Sequence, residues 1–186
     1  MEDKQRAEED AWLRSAQNGD ADAFGYLFRR YHERTVRTLL AMMGSEAEAR
    51  DVAQQAWVKA WQKIDRYNFE AAFSTWMHRI TVNTALDALR KRQREQQRTG
   101  SVEEIEQKPS TDATPDRRLQ INERWRELLS ALDQLPEEQR SALVLRELNG
   151  YSYQEIADAT HVKTGTVMSR LHAARQKLAT IWKNRS

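Results

Sequence analysis

The sequence predicts an all-α protein in which a flexible linker joins two helical domains. Apolar residues recur at the three- and four-residue spacing of amphipathic helices along nearly the whole chain, and β-branched alternation is absent from the sequence. Only 3 prolines and 6 glycines interrupt its 186 residues. The helical pattern fails over 96–115, so we expect one domain over 1–95 and a second over 116–186.

Four helices are predicted in the first domain, because helix-starting and helix-stopping residues stand at regular intervals. Either Asp20 or Asp22 caps the second helix, Gly44 ends it, and Ser45 caps the third. The four helices are expected over 8–17, from the Asp cap to 43, over 46–66 and over 74–94.

The linker and the start of the second domain follow from composition. Residues 108–115 read Lys-Pro-Ser-Thr-Asp-Ala-Thr-Pro, which offers too little apolar surface to stay ordered alone. Helical periodicity returns over 116–135, and Pro136 then stands in the first turn of a helix that ends at Asn149.

The C-terminal part of the chain has the pattern of a helix-turn-helix. A short helix over 152–157 is followed by a turn over 161–166 and by a last helix that runs to the C-terminus. Ala157 is small enough for close helix approach, and we expect Gly165 to ease the chain into the last helix. From Lys163 onward all charged residues are basic, which suits phosphate contacts in a DNA major groove. A solvated basic helix is the alternative.

Charge and composition exclude several classes of protein. The formal net charge is only +2, so a nucleic-acid role depends on where the basic residues lie. They cluster at 90–94 and in the last helix. Zero cysteines exclude disulfides and cysteine-ligated zinc. The acidic N-terminus is unlike a signal peptide, and no apolar run approaches the roughly 20 residues of a membrane span. We therefore expect a cytoplasmic protein with no membrane insertion.

Signatures of catalysis are missing from the sequence. It has no phosphate-cradling glycine loop and no paired metal-ligand histidines. The four histidines are scattered, and we expect them to be solvated or close to DNA. The sequence therefore predicts a protein that is not an enzyme and has no cofactor, metal site or catalytic residue.

Two helices carry surfaces that suggest function. Trp57 and Trp61 lie on one alanine-rich stripe of the third helix, which fits either a core or a partner surface. The fourth helix follows a loop with Tyr67, Asn68 and Phe69, and Asn83 can read a base edge. Aromatic side chains beside basic residues suit the binding of unstacked single-stranded DNA, although the same rings could simply fill the core.

With these motifs in order, the chain resembles the extracytoplasmic-function (ECF) class of bacterial sigma factors, the promoter-recognition subunits of RNA polymerase. Residues 51–61 (DVAQQAWVKAW) resemble the family's core-polymerase-binding helix, and 73–87 (FSTWMHRITVNTALD) resemble its minus-ten recognition helix. Residues 135–136, 145–153 and 165–170 match the domain that reads the minus-thirty-five element.

The resemblance implies three contact surfaces. The helix that binds the clamp helices of the largest polymerase subunit would use Asp51, Gln54, Gln55, Trp57 and Trp61. The minus-ten surface would use Asn68, Phe69, Arg79, Asn83, Asp87, Arg90, Lys91 and Arg92. The minus-thirty-five surface would use Lys163, Thr166, Met168, Ser169, Arg170, His172, Arg175 and Lys177.

The chain departs from the family pattern at several of these positions. Gln55 replaces a usual Glu, and Asn68-Phe69 replaces a common Arg-Gly pair in the loop that captures a flipped minus-ten base. Met168 and Ala173 occupy positions that are arginine in well-studied members of the family. The resemblance therefore implies altered base preferences at both promoter elements.

The resemblance also implies regulation by an anti-sigma factor, often tethered to the inner membrane, that would hold the protein inactive. The alternative is a stand-alone helix-turn-helix regulator whose first helices dimerise or sense a ligand. That alternative leaves the aromatic loop, Asn83 and the basic cluster at 90–94 unexplained.

Overall fold

The computed structural model describes residues 2–99 and 123–183, and every regular element in these two segments is a helix. The all-α prediction is therefore confirmed for the described chain. The part of the expected linker over 100–115, the expected start of the second domain over 116–122 and the terminal residues 184–186 lie outside the described residues. None of the described helices is long and apolar enough to cross a membrane.

Between residues 2 and 99, the first domain consists of four α-helices and one short 3-10 turn. Asp20 caps α2 by accepting 3.0 Å hydrogen bonds from the backbone N–H groups of Asp22 and Ala23. Ser45 caps α3 by accepting from the N–H of Glu48 at 3.4 Å. The elements are α1 (Glu2–Gln17), α2 (Ala21–Met43), α3 (Glu46–Lys63), a 3-10 helix (Ile64–Arg66) and α4 (Phe73–Thr99).

The outer helices of this domain are longer than expected. α1 begins at Glu2, and α4 continues to Thr99, so the expected linker over 96–115 starts inside a helix. The physical reason is composition: residues 94–98 read Arg-Glu-Gln-Gln-Arg, all good helix formers, and Gly100 is the first residue that interrupts them.

Over the described residues 123–183, the second domain contains four α-helices and a π-helical segment. The helix expected over 136–149 changes its hydrogen-bond pattern halfway, because the N–H of Asn149 donates to the carbonyl of Val144 at 3.2 Å. The elements are α5 (Glu123–Leu132), α6 (Glu137–Leu143), the π-helix (Val144–Leu148), α7 (Tyr153–Thr160) and α8 (Thr164–Lys183).

The helix-turn-helix forms as expected, with one correction to its turn. A capping box between Ser152 and Glu155 starts α7. The left-handed residue of the turn is His161, with φ of 55°, whereas Gly165 lies inside α8. Because α7 ends at Thr160, the chain must reverse at His161, four residues before the glycine.

The two domains share one hydrophobic core. Buried side chains of α2 and α4, such as Leu39 and Leu86, belong to the same cluster as Leu135 and Leu145 of the second domain. A separate cluster lies under α1 and α3. The structure therefore shows a closed arrangement in which the second domain packs against the end of α2.

Arg140 of α6 holds this contact through its guanidinium group. Its Nε donates to the carbonyl of Met42 at 3.1 Å, and its Nη2 donates to the carbonyl of Met43 at 2.9 Å. These carbonyls are at the C-terminal end of α2, where helical partners run out. Gly44 follows with φ of 76°, and a Cβ at this glycine would lie 2.2 Å from Arg140 Nη1. Only glycine fits both the backbone and the guanidinium at this point.

Candidate functional site

The outer face of α3 is an exposed polar surface with an apolar centre. Asp51, Gln54 and Gln55 are exposed, and 37% of Trp61 remains accessible although its ring contacts Phe24 at a centroid distance of 5.0 Å. Because the same helical face presents side chains of opposite character, it can combine hydrogen bonding with apolar burial in a complex.

Trp57 does not belong to this outer face, which corrects the sequence expectation. It is only 4% exposed, and its ring meets the edges of Phe24 and Phe28 at 5.7 and 5.1 Å. Of the two readings left open for the tryptophans, the core one holds for Trp57, because α2 presents two aromatic rings against it. Only Trp61 reaches solvent.

Val58 was missed by the sequence reasoning. It is exposed to 50% on α3, four residues after Gln54 and three before Trp61. This spacing places the three side chains on one face. Val58 lies between Trp57 and Trp61 in the sequence, but it is outside the predicted apolar stripe, which follows the alanines of the helix.

The aromatic loop between α3 and α4 divides into buried and exposed rings. Tyr67 and Phe73 are buried, so for them the core-filling reading is correct. The Tyr67 hydroxyl donates to the carbonyl of Ala71 at 2.7 Å, which fixes the loop. Asn68 accepts from the N–H of Glu70 through its side-chain oxygen at 3.3 Å and is itself exposed.

Phe69 is the exposed aromatic residue of this loop. Its φ of 62° is in the left-handed region, which costs a non-glycine residue about 1–3 kcal/mol. The ring lies 4.8 Å from that of Tyr67, and the Arg14 guanidinium is 5.3 Å from its centroid. A cavity of about 420 Å³ opens beside it, lined on the α1 side by residues that include Arg6 and Glu9. The contribution of α1 to this loop was not anticipated from the sequence.

The exposed side of α4 presents the expected polar residues. Arg79 and Asn83 are exposed, and Asp87 is engaged by Arg90 at 2.7 Å and by Lys59 at 3.6 Å. Lys91 lies 3.9 Å from Glu95 along the same helix. These are solvent-exposed pairs, which contribute little to stability.

Arg92 has a different environment from the rest of the basic cluster. Its Nη1 is 2.6 Å from Glu48, and its Nη2 pairs with Glu137 of the second domain. Burial alone would lower the pKa of Arg92, but the hydrogen bond and charge of Glu137, with those of Glu48, raise it. In the closed arrangement this guanidinium is therefore occupied by carboxylates, so the DNA contact expected of Arg92 stays a prediction that requires these pairs to break.

Helix α8, the second helix of the helix-turn-helix, has one buried and one exposed face. Val167, Leu171 and Ala174 are buried against the rest of the domain. The Thr164 hydroxyl donates to Gln154 of α7 at 3.1 Å and links the two helices of the motif. The exposed candidates on and before α8 are Lys163, Thr166, Met168, Ser169, His172, Arg175 and Lys177.

Two arginines of this set are tied to the domain by ion pairs. Arg170 lies 2.7 Å from Glu138, with a side chain that is mostly buried, and Arg175 lies 2.7 Å from Glu147. The Arg170 pair orients α8 on α6. Arg175 itself is exposed.

The histidines differ from the expectation. His161 and His172 are exposed, but His32 and His78 are half-buried between helices. Burial lowers the pKa of His78, and the nearby Arg34 lowers it further. His32 is affected in the same way, by burial and by Arg50. In the sequence, a charged residue follows each of them (Glu33 and Arg79), so burial was not evident from the neighbouring residues.

Comparison with known families supports the two-part organisation. The family model for sigma-70 region 2 matches residues 27–95, and the model for sigma-70 region 4 matches residues 125–178. The first covers most of α2, all of α3 and most of α4, and the second covers the helix-turn-helix domain from within α5.

Curated relatives and a solved structure are similar over most of the chain. The ECF RNA polymerase sigma-E factor of Escherichia coli K12 is 34% identical over 169 residues, which covers 87% of both chains. The ECF RNA polymerase sigma factor SigE of Mycolicibacterium smegmatis is 34% identical over 152 residues, and this match spans 58% of that protein and 82% of the present chain. The Bartonella quintana sigma factor RpoE, solved with the anti-sigma factor NepR, superposes with a TM-score of 0.55 at 26% identity, covering 86% of this chain and 96% of that one.

Proposed function

The chain belongs to the extracytoplasmic-function family of RNA polymerase sigma factors, and on that premise we propose how its surfaces bind polymerase, promoter DNA and an inhibitor. Members of this family are DNA-binding regulatory subunits that direct transcription initiation. The stand-alone regulator left open by the sequence is wrong, because matches to regions 2 and 4 occur together and in order. We further infer that the chain has no catalytic activity of its own.

The outer face of α3 is the surface that binds core polymerase. The observation that carries this assignment is the continuous exposure of Gln54, Val58 and Trp61 on a helix whose opposite side is fully buried. A partly exposed tryptophan surrounded by amides has the composition of an interface hot spot. Asp51 and Gln55 extend the surface toward the start of the helix.

Promoter DNA is contacted by one surface on each domain. On the first domain, Asn68, Phe69, Arg79 and Asn83 lie on the exposed loop and helix that suit an unstacked strand. On the second, Ser169 and His172 face solvent from α8 and are the proposed base readers, with Met168, 52% exposed, beside them as an apolar contact. Lys163, Arg175 and Lys177 are the proposed phosphate ligands of this domain.

Simultaneous use of both DNA surfaces requires the closed arrangement to open. In the closed form, Glu137 of the second domain binds Arg92 of the proposed minus-ten surface. The α3 face stays accessible in this form. Core polymerase can therefore bind first and supply the free energy that separates the domains on promoter DNA.

Control by an anti-sigma factor is the proposed regulation. The support is the B. quintana neighbour, which is bound to such a factor and covers most of this chain. We propose an inhibitor with cytoplasmic helices, held at the inner membrane, that covers the α3 face while this chain remains in the cytoplasm. Recovery from uninduced native cells only as free protein or with polymerase would contradict this mode of control.

Reconstitution with sigma-free core polymerase tests the central proposal. Addition of this protein should yield transcripts from a limited set of promoters, and core enzyme alone should not. The double variant Asp51→Ala, Gln54→Ala tests the α3 interface in the same assay, and it should lose promoter-specific transcription. Promoter-specific transcription that persists unchanged in that variant would contradict the α3 assignment, and no specific transcription by wild type would contradict the function.

A further inference from the structure

A polar cleft between the two domains has no role in the function described so far. It has a volume of about 370 Å³, which is within the range of small-ligand sites. One wall consists of α2 and the first turns of α4. The other is made by Trp125 of α5 and by Leu148 and Asn149 at the end of the π-helix.

The charge of this cleft is one-sided. Arg34 and Arg37 of α2 both line it, and none of the described residues that line it is acidic. Arg34 has no ion-pair partner in the described part of the chain. Arg37 pairs with Glu33 through Nη2, but its Nε is buried without a hydrogen-bond partner among the described residues. Two arginines thus line one cleft, and the carboxylate that pairs with Arg37, that of Glu33, is not part of the lining.

Neutral hydrogen-bonding groups complete the lining. Ser74 and Thr75 contribute hydroxyl groups from the first turn of α4. The Nε2 of His78 and the Nδ2 of Asn149 are buried and lack partners among the described residues. Buried polar groups of this kind are rare in folded proteins unless water or a ligand satisfies them. They come from both domains, so a molecule that satisfies all of them must bridge the domains.

We propose that this cleft binds a small phosphorylated ligand through a diphosphate group and thereby holds the two domains together. Arginine is the side chain best suited to bidentate phosphate contacts, and a diphosphate offers enough acceptor oxygens for two guanidinium groups and several neutral donors. Duplex DNA is not the ligand of this cleft, because the second domain forms one of its walls and stands in the way of a duplex. Occupancy favours the closed arrangement and so opposes promoter engagement.

Calorimetric titration of the full-length protein with inorganic pyrophosphate, at constant ionic strength, tests the site. Binding of one pyrophosphate per chain is expected. Arg34→Gln and Arg37→Gln should each weaken it about tenfold or more, the equivalent of about 1.4 kcal/mol. Arg29→Gln is the matched control, since Arg29 is an exposed arginine of the same helix outside the cleft. Thermal unfolding of each variant verifies that the fold survives.

The contribution of the second domain is tested by Asn149→Ala, which should also weaken pyrophosphate binding. Titration with ADP distinguishes the two sources of the group: equal affinity means that the diphosphate suffices, and higher affinity means that a nucleotide is the ligand. Absence of binding, equal binding of sulfate, or equal losses in Arg29→Gln would overturn the proposal. Unchanged affinity in Asn149→Ala would overturn the bridging of the domains.

Discussion

Arg140 donates a 2.9 Å hydrogen bond to the carbonyl oxygen of Met43, 97 residues earlier in the chain. The guanidinium is 2% exposed and has Asp133 at 3.1 Å as its carboxylate partner. Burial lowers the pKa of Arg140, and the charge of Asp133 opposes this shift. A buried arginine is tolerated only when its donors are matched, and here the end of α2 supplies the acceptors. The closed arrangement and the end of α2 therefore depend on the same group.

Replacing Arg140 should open the molecule. Arg140→Ala leaves the carbonyls of Met42 and Met43 without their partner, and loss of one member of such a buried set costs about 3–5 kcal/mol. Because the chain has no cysteine, Gln62→Cys and Gln176→Cys provide an unambiguous dye pair on exposed helical sites. Energy transfer between the dyes should fall markedly in Arg140→Ala.

Two further variants make the Arg140 test specific. Arg126→Ala removes an exposed arginine of α5 and should leave energy transfer unchanged. Gly44→Ala approaches the same contact from the first domain, where a Cβ would collide with the guanidinium, and should reduce energy transfer. Unchanged transfer in both Arg140→Ala and Gly44→Ala would show that the contact does not hold the domains.

Acidification should destabilise the folded protein through His78. Burial, with Arg34 close by, holds the pKa of His78 below its ordinary value of 6.5, and the neighbouring Tyr151 ring is uncharged at neutral pH. The unfolded state therefore binds a proton more readily than the folded state. The stability contributed by neutral His78 is fully present above pH 6.5 and is lost as the pH falls below it.

Urea unfolding at pH 8.0 and pH 5.5 measures this dependence. His78→Gln should reduce the loss of stability between the two pH values, and the remaining loss includes His32, whose pKa is also lowered by burial. His172→Gln, on the exposed face of α8, should leave the loss unchanged. An identical pH dependence in wild type and His78→Gln would contradict the assignment.

Polymerase affinity should depend on the centre of the outer α3 face. The double variant Gln54→Ala, Trp61→Ala removes one amide and one partly exposed ring, and we expect at least a tenfold loss in affinity for core enzyme. Val58→Ala should cause a smaller loss of the same kind. Gln17→Ala is unsuitable as a control, because the Gln17 side chain donates hydrogen bonds to the carbonyl oxygens of Ile64 and Tyr67. Arg29→Ala, on α2, is the control, and circular dichroism verifies the fold of each variant.

The second domain should separate phosphate contacts from base contacts. Lys177→Gln should weaken holoenzyme binding to all minus-thirty-five sequences alike and reduce the salt dependence, d log K/d log[salt], by about 0.9. His172→Ala should instead change which sequence is preferred, because a base-edge contact carries sequence information. Binding of sequence libraries at several salt concentrations measures both effects. If His172→Ala weakened binding to all minus-thirty-five sequences equally, His172 would contact the DNA backbone and not a base.

Local features were predictable from the sequence because they depend on neighbouring residues. The caps at Asp20 and Ser45 are short-range patterns with a direct physical cause. The end of α4 was predicted too early, because a polar helix without breakers resembles a polar linker in composition.

Long-range features were not predictable in the same way. Arg140 stands in a Glu-Glu-Gln-Arg segment that is typical of an exposed helix surface, and its acceptors lie at the end of α2 in the other domain. Trp57 and Trp61 have equivalent positions in the sequence pattern, yet the rings of Phe24 and Phe28 make one a core residue and leave the other accessible. Only the packing of α2 against α3 decides between them.

The contact at the end of α2 also determines how solvent affects the balance between closed and open forms. When α6 leaves α2, the Arg140 guanidinium and two carbonyl groups must be hydrated, together with apolar side chains such as Leu135. Separation of the domains therefore exposes both polar and apolar surface to water. Osmolytes that are excluded from protein surfaces favour the closed form, and the water activity of the cell becomes a variable on which promoter engagement depends.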